Sequence, residues 1–413
     1  MNPHQFPQVY HGSVKEVWSP LQWKGHSESP IAVFDYTDAF SVFDWGKMPD
    51  LISLKGESLA TVAADLFERI QNPMTWQEFS RSSEALALRK ASRFGAAFNE
   101  WGERLKQDGL KTHYLGTIPA RMDLFAPALQ IEPENLSVEQ GPVKRLAVQA
   151  VQIVKPQWNT VMGRSVPDYA PVRAGSRPQL IPLEVIFRFS CPPGGSLPER
   201  IKKGGEVPIG LFDSAPGVGQ TWDFPLLEMF SKLEPSDRPL SLSEALAISG
   251  ILPSQLEELL IQTAWVAGYL RAICSRAGLE LADGKLEWAV SAGDSANPAG
   301  SCFLVDAIGP DELRILKGDI QLSKEFIRDF YRDSVWYQSV AEAKQRATQQ
   351  GYADWKRAVK ESPPLMPARL KEAVSQMYRC LTHSLSGKTW FKNTWDLETL
   401  VTELKALRTW GGQ

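Results

Sequence analysis

Residues 286–308 read LEWAV-SAGDSANPAGS-CFLVDAI, and this stretch gives the clearest indication of the fold. Leu286 to Val290 and Cys302 to Ile308 are apolar runs of strand length, separated by a segment rich in Gly, Ser and Asn. Two such runs around a turn-rich segment predict a β-hairpin. The hairpin would place Glu287 and Asp306 on adjacent antiparallel strands, where side chains can lie side by side.

The paired carboxylates of this hairpin suggest a metal site. Two neighbouring anions repel each other unless a cation lies between them. Mg²⁺ bound together with nucleotide phosphates is a common cation of this kind, and one or two carboxylates hold it. The alternative is that Glu287 and Asp306 are solvated strand residues paired with Lys285 and Arg314. Spacing alone favours this alternative.

Outside the hairpin, strands dominate the first half of the chain and helices dominate the end. Apolar patterning predicts strands on either side of a turn at His11-Gly12-Ser13 and, further along, at 31–34, 146–154 and 183–189. It predicts helices at 58–70, 85–107 and 254–277, and mostly helix from Ser323 onward. Ser254 is a suitable N-cap for the third helix and Gly278 a suitable stop. Strands followed by helices in this order indicate an α+β fold.

The segment 188–200, RFSCPPGGSLPER, is a candidate anion site. Its glycines would let backbone N–H groups approach an anion closely. Arg188, Ser196 and Arg200 could then contact a phosphate or a carboxylate. The alternative is a surface turn with ordinary salt bridges, and this segment by itself favours that alternative.

The predicted N-terminal hairpin is a second candidate. Gly12 in the turn and Lys15 just after it would suit a lid over nucleotide phosphates. In isolation, an edge hairpin with a solvated lysine explains the same residues.

Composition limits the classes of partner. The chain has 413 residues and a formal net charge of −3, which argues against a nucleic-acid or anionic-membrane partner. The four cysteines show no CxxC pair, so we expect reduced thiols in a cytoplasmic protein. The first ten residues lack the apolar core of a signal peptide, and no apolar stretch approaches the ~20 residues that span a bilayer.

Eight segments of the chain, taken in order, resemble one known family, the SAICAR synthetases (phosphoribosylaminoimidazole-succinocarboxamide synthases). The segments are VYHGSVKEVW at 9–18, FDYTDAFSVFD at 34–44, Lys55-Gly56, GLKTHYLG at 109–116, PLEVIFRFSCPPGGSLPER at 182–200, GLELADGKLEW at 278–288, LVDAIGPDELR at 304–314 and LSKEFIRDFYRDSVW at 322–336. No single segment decides the matter, but the collinear set is specific.

The resemblance implies an α+β fold related to ATP-grasp enzymes and kinases, with two lobes around an ATP cleft. It implies an ATP- and Mg²⁺-dependent ligase of purine biosynthesis. Such an enzyme joins the carboxylate of carboxyaminoimidazole ribonucleotide to the amine of aspartate. We expect an N-terminal lobe at 1–180 with an inserted Pro/Gly/Ser-rich loop at 157–179. A second lobe at 181–340 would carry the metal and substrate site, and a helical extension would follow at 341–413. A homo-oligomer is left open.

The resemblance also assigns roles to individual residues. Those implied for metal, ATP and catalysis are Glu287 and Asp306 for both metal and ATP phosphates, Lys285 beside the catalytic glutamate, Gly12 and Lys15 for ATP phosphates, and Leu180 at the start of the hinge that meets adenine. Those implied for the phosphate of the nucleotide substrate are Arg188, Ser196 and Arg314. Arg200 joins this group through the segment it shares with Arg188.

Three departures from the family pattern concern the substrate. The family's Gly-Lys-x-Lys hairpin becomes Gly12-Ser13-Val14-Lys15, so one phosphate-binding lysine is missing. Asp38 stands in a run that usually carries serine, and Arg238 precedes the proline of a later motif. Asp38 and Arg238 in the substrate pocket would change which acid and amine fit. Two alternatives therefore remain: a paralogous carboxylate–amine ligase with another substrate, or a nucleotide-binding homologue without catalysis.

Overall fold

The protein is described by a computed structural model that covers residues 8–23, 31–119, 122, 130–131, 141–193, 195–211, 216–295, 297–350 and 355–408. Strands and helices are mixed along the chain, which confirms the α+β expectation. The strands are β1 Gln8–His11, β2 Lys15–Trp23, β3 Ile31–Tyr36, β4 Tyr114–Ile118, β5 Gln130–Ile131, β6 Arg145–Gln149, β7 Gln157–Val161, β8 Arg164–Asp168, β9 Gln179–Ser190, β10 Thr221–Ser231, β11 Pro239–Leu240, β12 Glu280–Val290, β13 Cys302–Val305, β14 Leu313–Lys317 and β15 Ile320–Gln321.

Helices cover both sheets and form the end of the chain. They are α1 Lys55–Gln71, α2 Pro73–Phe79, α3 Ser83–Ala91, α4 Gly95–Asp108, α5 Ala170–Arg173, α6 Leu197–Lys202, α7 Leu242–Ser249, α8 Pro253–Arg276, α9 Lys324–Arg332, α10 Val335–Gln350, α11 Ala368–Ser386 and α12 Leu397–Arg408. A 3₁₀ turn lies at Trp355–Ala358.

The first sheet has the strand order β1-β2-β3-β6-β4, with β5 paired to β2. Its centre, β3, is almost entirely buried and pairs antiparallel with both β2 and β6. The predicted turn at 11–13 joins β1 and β2, so that prediction is confirmed. This sheet brings Lys15, the first residue of β2, to the edge that faces the second sheet.

The second sheet has the order β11-β10-β9-β12-β14-β15. The predicted hairpin is confirmed, because β13 pairs antiparallel with β12 and Glu287 lies opposite Val305. The predicted second strand is shorter than expected, since it ends at Val305 and Asp306 lies just beyond it. β14 pairs with the other half of β12, at 280–284. Two strands thus share one edge of β12, and the chain between them, residues 306–312, fills the gap at that edge.

The helix α8 forms the core behind the second sheet. Its residues are buried on nearly every side, including Trp265, which stacks on Phe98 at a ring-centroid distance of 4.7 Å. A helix that is apolar all round belongs in an interior. It starts at Pro253, with the side chain of Gln255 accepting a hydrogen bond from Leu252 N, so Ser254 is not the N-cap. The predicted stop is confirmed, since Gly278 has φ +68°.

The C-terminal helix α11 packs against the first half of the chain, and α12 contacts α11 and β15. α11 lies along α1, where Thr382 Oγ1 donates to Ser58 O at 3.1 Å and Ser375 Oγ donates to Ser53 O at 2.7 Å. Helix continues from 335 through α10, so the tail predicted to begin at 341 starts within a helix. The predicted boundary at 180 likewise falls just inside β9.

Two other predictions of local structure are wrong. The loop predicted at 157–179 is instead a hairpin, β7–β8, followed by α5. The single helix predicted at 85–107 is two helices, because the chain breaks at 92–94. There the side chain of Ser92 accepts a hydrogen bond from Phe94 N, and Gly95 has φ +62°, which favours glycine.

Candidate active site

One face of the second sheet carries the charged residues of β12 that were predicted for the site. Successive side chains of a strand point to opposite faces, so every second residue of β12 lies on this side. The residues on this face of β12, with their neighbours on β9, are Asp283 beside Arg188, Lys285 beside Ile186, Glu287 beside Glu184 and Ala289 beside Leu180. The face therefore changes along its length from an arginine-rich end, through a lysine and glutamate centre, to an apolar end.

The centre of this face is a network of two lysines and two glutamates. Glu287 Oε1 accepts from Lys232 Nζ at 2.6 Å and from Lys285 Nζ at 2.8 Å. The same two lysines contact Glu184 Oε1 at 3.3 and 3.0 Å. Glu287 is only 5% exposed, so it is not solvated as the alternative interpretation expected, although its predicted pair with Lys285 is present.

Asp306 completes the centre from the gap between β13 and β14. Its backbone is left-handed, with φ +67°, so the chain turns out of β13 at this residue. Its carboxylate pairs with Lys15, which comes from the first sheet. Both residues line a cleft of about 400 Å³ between the two sheets, together with Lys232, Lys285 and Glu287.

The charges of the centre shift one another's protonation in opposite directions. Burial and the nearby Asp306 raise the pKa of Glu287, although two lysines oppose this. Burial also works against ionisation of Asp306, but Lys15 and Lys285 outweigh it and hold its pKa well below its usual range. Two close carboxylates, one of them reluctant to ionise, are what a site for an added cation would contain.

Two further carboxyl groups, those of Asp311 and Glu312, belong to the gap loop, which is the segment 306–312 between β13 and β14. Lys285 N donates to Glu312 O at 3.0 Å, so the loop follows the edge of β12 where no strand pairs with it. Burial, reinforced by Asp311 and Asp306 and opposed by Lys324, raises the pKa of Glu312 to about 7. Glu312 therefore changes charge near neutral pH, in the cleft itself.

Asp311 is held by three side chains from three different elements. Lys55 Nζ from α1 lies 2.9 Å from its carboxylate, and Lys324 Nζ from α9 lies 3.2 Å away. Tyr378 Oη from α11 donates to the other oxygen at 2.6 Å. The side chain of Lys55 is fully buried, so Asp311 supplies the charge that it needs in the interior.

The turn between β1 and β2, which was predicted to act as a lid, depends on Gly12. A Cβ at Gly12 would lie 2.6 Å from Lys15 O, and Gly12 N donates to that same oxygen at 3.0 Å. Only glycine allows this close approach. The turn directs Lys15 across the cleft, where its Nζ also lies 4.2 Å from the ring centroid of Phe34.

The arginine-rich end is a network of charged pairs. Arg188 Nε lies 2.5 Å from Glu228, and its Nη1 lies 3.0 Å from Asp283. Arg200 also pairs with Glu228, and Arg314 Nε lies 3.6 Å from Asp283. Ser196 immediately precedes α6. The structure thus brings Arg188, Arg200 and Arg314 into one network through Glu228 and Asp283, and no side-chain contact joins Ser196 to it within the described part of the chain.

The apolar end is a small cluster on the same face. Leu180 packs there with Ala289, Phe303 and Val305, all of which are buried. Val305 lies opposite Glu287 across the hairpin, so the apolar surface begins directly beside the carboxylates.

The residues present suit a magnesium ion that is bound jointly with phosphates. Within the described part of the chain, no three His, Cys, Asp or Glu side chains form a cage that could hold a metal by itself. Glu287 of β12 and Asp306, just after β13, offer hard oxygen ligands from the second sheet. Mg²⁺ commonly uses one or two carboxylates with substrate oxygens and water. Across the described ranges, no helix is long and apolar enough to span a bilayer.

Comparison with known sequences decides the family. The sequence model of the SAICAR synthetase family matches residues 8–349, which is most of the chain. The chain belongs to the SAICAR synthetase family. Members of this family are ATP-dependent carbon–nitrogen ligases of purine biosynthesis, which confirms the class of enzyme expected from the sequence.

Relatives and solved structures of SAICAR synthetases extend this result. A protein of Archaeoglobus fulgidus, named for phosphoribosylaminoimidazole-succinocarboxamide synthase activity, is 31% identical over 396 residues, covering 95% of this chain and 98% of its own. The phosphoribosylaminoimidazole-succinocarboxamide synthase of Thermoplasma acidophilum is 31% identical over 229 residues, covering 53% of this chain and 71% of its own. The SAICAR synthase of Saccharomyces cerevisiae, solved with SAICAR, has a TM-score of 0.51 at 17% identity and covers 94% of this chain and 98% of its own. This likeness confirms the fold.

Two residues expected in the SAICAR synthetase substrate pocket have other partners. Asp38 Oδ1 accepts a hydrogen bond from Gly56 N at 3.0 Å, at the first turn of α1. Arg238 pairs with Glu234 at 3.2 Å and Glu244 at 3.0 Å, and its side chain is 40% exposed. Neither lines the cleft that contains Lys15 and the carboxylates. Their substrate-binding role stays a prediction without support from these contacts.

Asp311 and Glu312 of the cleft were not among the predicted site residues, and neither were three charged residues from other parts of the chain. Lys232 follows β10, Glu184 lies within β9 and Lys324 begins α9. Each is distant in sequence from Glu287, so spacing could not connect them. The signal that could have found Glu184 is an isolated acid in the apolar run LEVIF, where a buried charge requires a partner.

Proposed function

We propose that this protein is an ATP- and Mg²⁺-dependent ligase that joins the carboxylate of carboxyaminoimidazole ribonucleotide to the amino group of aspartate. The observation that carries the proposal is the order of chemistry along one sheet face. An end with three arginines paired to Glu228 and Asp283, a lysine and carboxylate centre and an apolar end follow one another. The proposal assigns these three regions to a nucleotide phosphate, to phosphoryl transfer and to a purine base. At ~3.3 Å per residue, Asp283 and Glu287 lie about 13 Å apart along β12, roughly the length of a nucleotide substrate.

In this proposal the ATP lies across the apolar end and the centre. The proposal places adenine beside the buried apolar cluster of Leu180, Ala289 and Phe303, since an apolar environment suits the flat face of the base. Lys15, which belongs to the first sheet, would contact the phosphates of ATP. Glu287 and Asp306 would hold a Mg²⁺ ion, which supplies charge neutralisation between the phosphates.

The chemistry requires activation of a carboxylate, which resists nucleophiles because it is anionic and lacks a leaving group. Transfer of the γ-phosphoryl group of ATP to the carboxylate forms an acyl phosphate and releases ADP. The amine then attacks the acyl carbon, loses a proton, and phosphate leaves. Lys15, Lys232 and Lys285 would stabilise the charge on the transferring group, and Arg188 with Arg314 would anchor the ribonucleotide phosphate.

The test is turnover with defined substrates. Purified protein receives ATP, Mg²⁺, carboxyaminoimidazole ribonucleotide and aspartate, and ADP release and the succinocarboxamide product are both measured. We expect product only when all four are present. Omission of each substrate, and an Asp306→Asn variant, provide the controls. Binding of ATP without any product would sink the substrate assignment while leaving an ATP-dependent ligase in place.

A second candidate, a paralogous ligase with another acid or amine, is favoured by Ser13. This residue lines the cleft where the family usually has a lysine. The other two departures support it less, because Asp38 and Arg238 have the structural partners described above. A panel of amino acids in place of aspartate, scored by ADP release, separates this candidate from the first. Absence of ATP binding in calorimetry, together with no turnover with any amine, would instead favour a homologue that has lost catalysis.

We also infer a cytoplasmic location and small-molecule partners. Among the described residues all four cysteines are free and buried, which suits a reducing compartment. Detection of the protein in a membrane or secreted fraction after cell fractionation would contradict this.

A further inference from the structure

His113 lies at the seam between the two sheets, just before β4. Its backbone N donates to Leu304 O of β13 at 2.9 Å, and its carbonyl accepts from Gln149 N at 2.7 Å. Leu304 N in turn donates to Lys111 O at 3.0 Å. The segment at 111–113 therefore runs beside β13 and ties the first sheet to the strand that ends at Asp306. His113 itself is only 2% exposed.

The ring of His113 is bonded to the backbone of Asp306. Its Nε2 lies 2.9 Å from Asp306 O. A carbonyl oxygen can only accept, so Nε2 must carry the hydrogen. This bond fixes the peptide that follows Asp306, where the backbone is held at φ +67°. A left-handed aspartate is a strained conformation that persists when surrounding contacts enforce it.

The same ring also supports the other partner of the ion pair across the cleft. It packs edge-on against Phe34 and Phe67, with ring centroids 5.4 Å away in both cases. Phe34 is the ring over which Lys15 Nζ lies. His113 thus stands behind both Lys15 and Asp306, which come from different sheets and meet in the cleft.

We propose that His113 is a positioning residue that holds the Asp306 turn through its Nε2 hydrogen bond, so that the Asp306 carboxylate stays aimed at the magnesium–phosphate centre. The proposal rests on the proposed function, because it concerns the metal role given there to Asp306. His113 touches no substrate in this account. Its effect passes through the backbone of Asp306, and a residue that merely fills the core would lack that effect.

The experiment compares two substitutions at this position. His113→Gln keeps an N–H donor that can reach Asp306 O, whereas His113→Phe keeps a ring between Phe34 and Phe67 but has no donor. Should the phenyl ring not pack, His113→Met provides a second side chain without a donor. Phe67→Leu is the matched control, since it disturbs the packing of the ring and leaves the hydrogen bond in place.

The readout is the factor by which saturating Mg²⁺ tightens ATP binding over the same measurement in EDTA, determined by calorimetry without turnover. We expect His113→Phe to lower this factor about three- to tenfold, the effect of one ordinary hydrogen bond. His113→Gln and Phe67→Leu should stay within about twofold of the wild type by the same scale. Binding of ATP in EDTA should change little in any variant.

Each outcome decides the matter. An unchanged factor in His113→Phe, or an equal loss in His113→Gln or Phe67→Leu, overturns the positioning role and leaves the proposed function standing. If the wild type itself shows no tightening by Mg²⁺, the metal role of Asp306 fails and this inference fails with it.

Discussion

The charged side chains of the cleft balance one another before any substrate binds. Lys15, Lys232 and Lys285 face Glu184, Glu287 and Asp306, and every one of them has an opposite charge within hydrogen-bonding distance. Magnesium ATP entering this network would exchange protein ion pairs for ligand contacts. Lysines already held in place need little reorganisation to meet a transferring phosphoryl group.

The first prediction concerns the two carboxylates of the centre. Glu287→Gln and Asp306→Asn should each lower kcat/KM at least about a hundredfold, because each removes a charged oxygen ligand and keeps the side-chain volume. Steady-state kinetics measures the loss, and circular dichroism checks that the fold survives. Asp319→Asn is the matched control, since Asp319 is an exposed carboxylate paired with Lys405. Near-normal activity in either cleft variant would refute the metal assignment.

The second prediction concerns Glu312 and pH. Its pKa in the folded protein is raised to about 7. The unfolded chain therefore ionises first as pH rises, and stability is lost between about pH 4.5 and 7. Glu312→Gln has no such loss. It should be more stable than the wild type by about 1–3 kcal/mol at pH 8, with the difference shrinking toward pH 4.5. Urea unfolding in EDTA at both pH values measures this, and a difference independent of pH would contradict it.

At the scale of elements, the sequence predicts those features that are determined by residues close together in the chain. The hairpin of β12 and β13 and the glycine stop after α8 follow from apolar runs and from the backbone freedom of Gly278. The neighbouring Glu184 and the partner Lys232 of Glu287 do not follow from the sequence, because the register of β9 against β12 and tertiary packing bring them to it. The hairpin of β7 and β8 gives no strand signal in the sequence, because its side chains are mostly exposed and form no apolar alternation. Pairing between distant segments is set by tertiary packing and leaves no periodic signal.

The third prediction concerns the first turn of α1. Asp38 satisfies Gly56 N there, one of the N–H groups that lack a partner within the helix. Asp38→Ala should lower the free energy of unfolding by about 1 kcal/mol, the usual cost of a lost helix cap. The KM values for carboxyaminoimidazole ribonucleotide and for aspartate should stay unchanged. Chemical unfolding and steady-state kinetics test the two halves separately. A large rise in KM with no loss of stability would restore Asp38 to the substrate pocket.

The fourth prediction concerns the contact between α11 and the gap loop. Tyr378→Phe removes one hydrogen bond to the buried Asp311 carboxylate and should cost about 1–3 kcal/mol of unfolding free energy. The chain offers a matched control in Tyr331→Phe, because the buried Oη of Tyr331 has no hydrogen-bond partner among the described residues. That variant should be neutral or slightly stabilising. Equal effects of the two substitutions would show that α11 does not support the loop through this bond.

At the scale of the whole molecule, the cleft is the place where two separate sheets and the C-terminal helices meet. The first sheet supplies Lys15, the second supplies Glu287, and the gap loop that carries Asp306 and Asp311 is held from behind by α11. The sequence could indicate which residues carry charge, but not that the tail would pack on α1. A helix stripe shows that a helix is buried and does not show which surface covers it.

The fifth prediction follows from this arrangement. A ligand that bridges both sheets stabilises the whole fold by mass action, by about 2.7 kcal/mol at a concentration of a hundred times its Kd. For a chain of this length that corresponds to a rise in Tm of about 3 °C. We expect magnesium ATP to produce this shift in differential scanning fluorimetry, and ATP in EDTA to produce a smaller one. Asp306→Asn should abolish the difference between ATP with Mg²⁺ and ATP in EDTA, because the proposed function assigns the binding of Mg²⁺ to the Asp306 carboxylate of the second sheet. A full shift in that variant would mean that the bridge across the cleft is made by Lys15 and the phosphates alone, and the metal would then have to lie elsewhere.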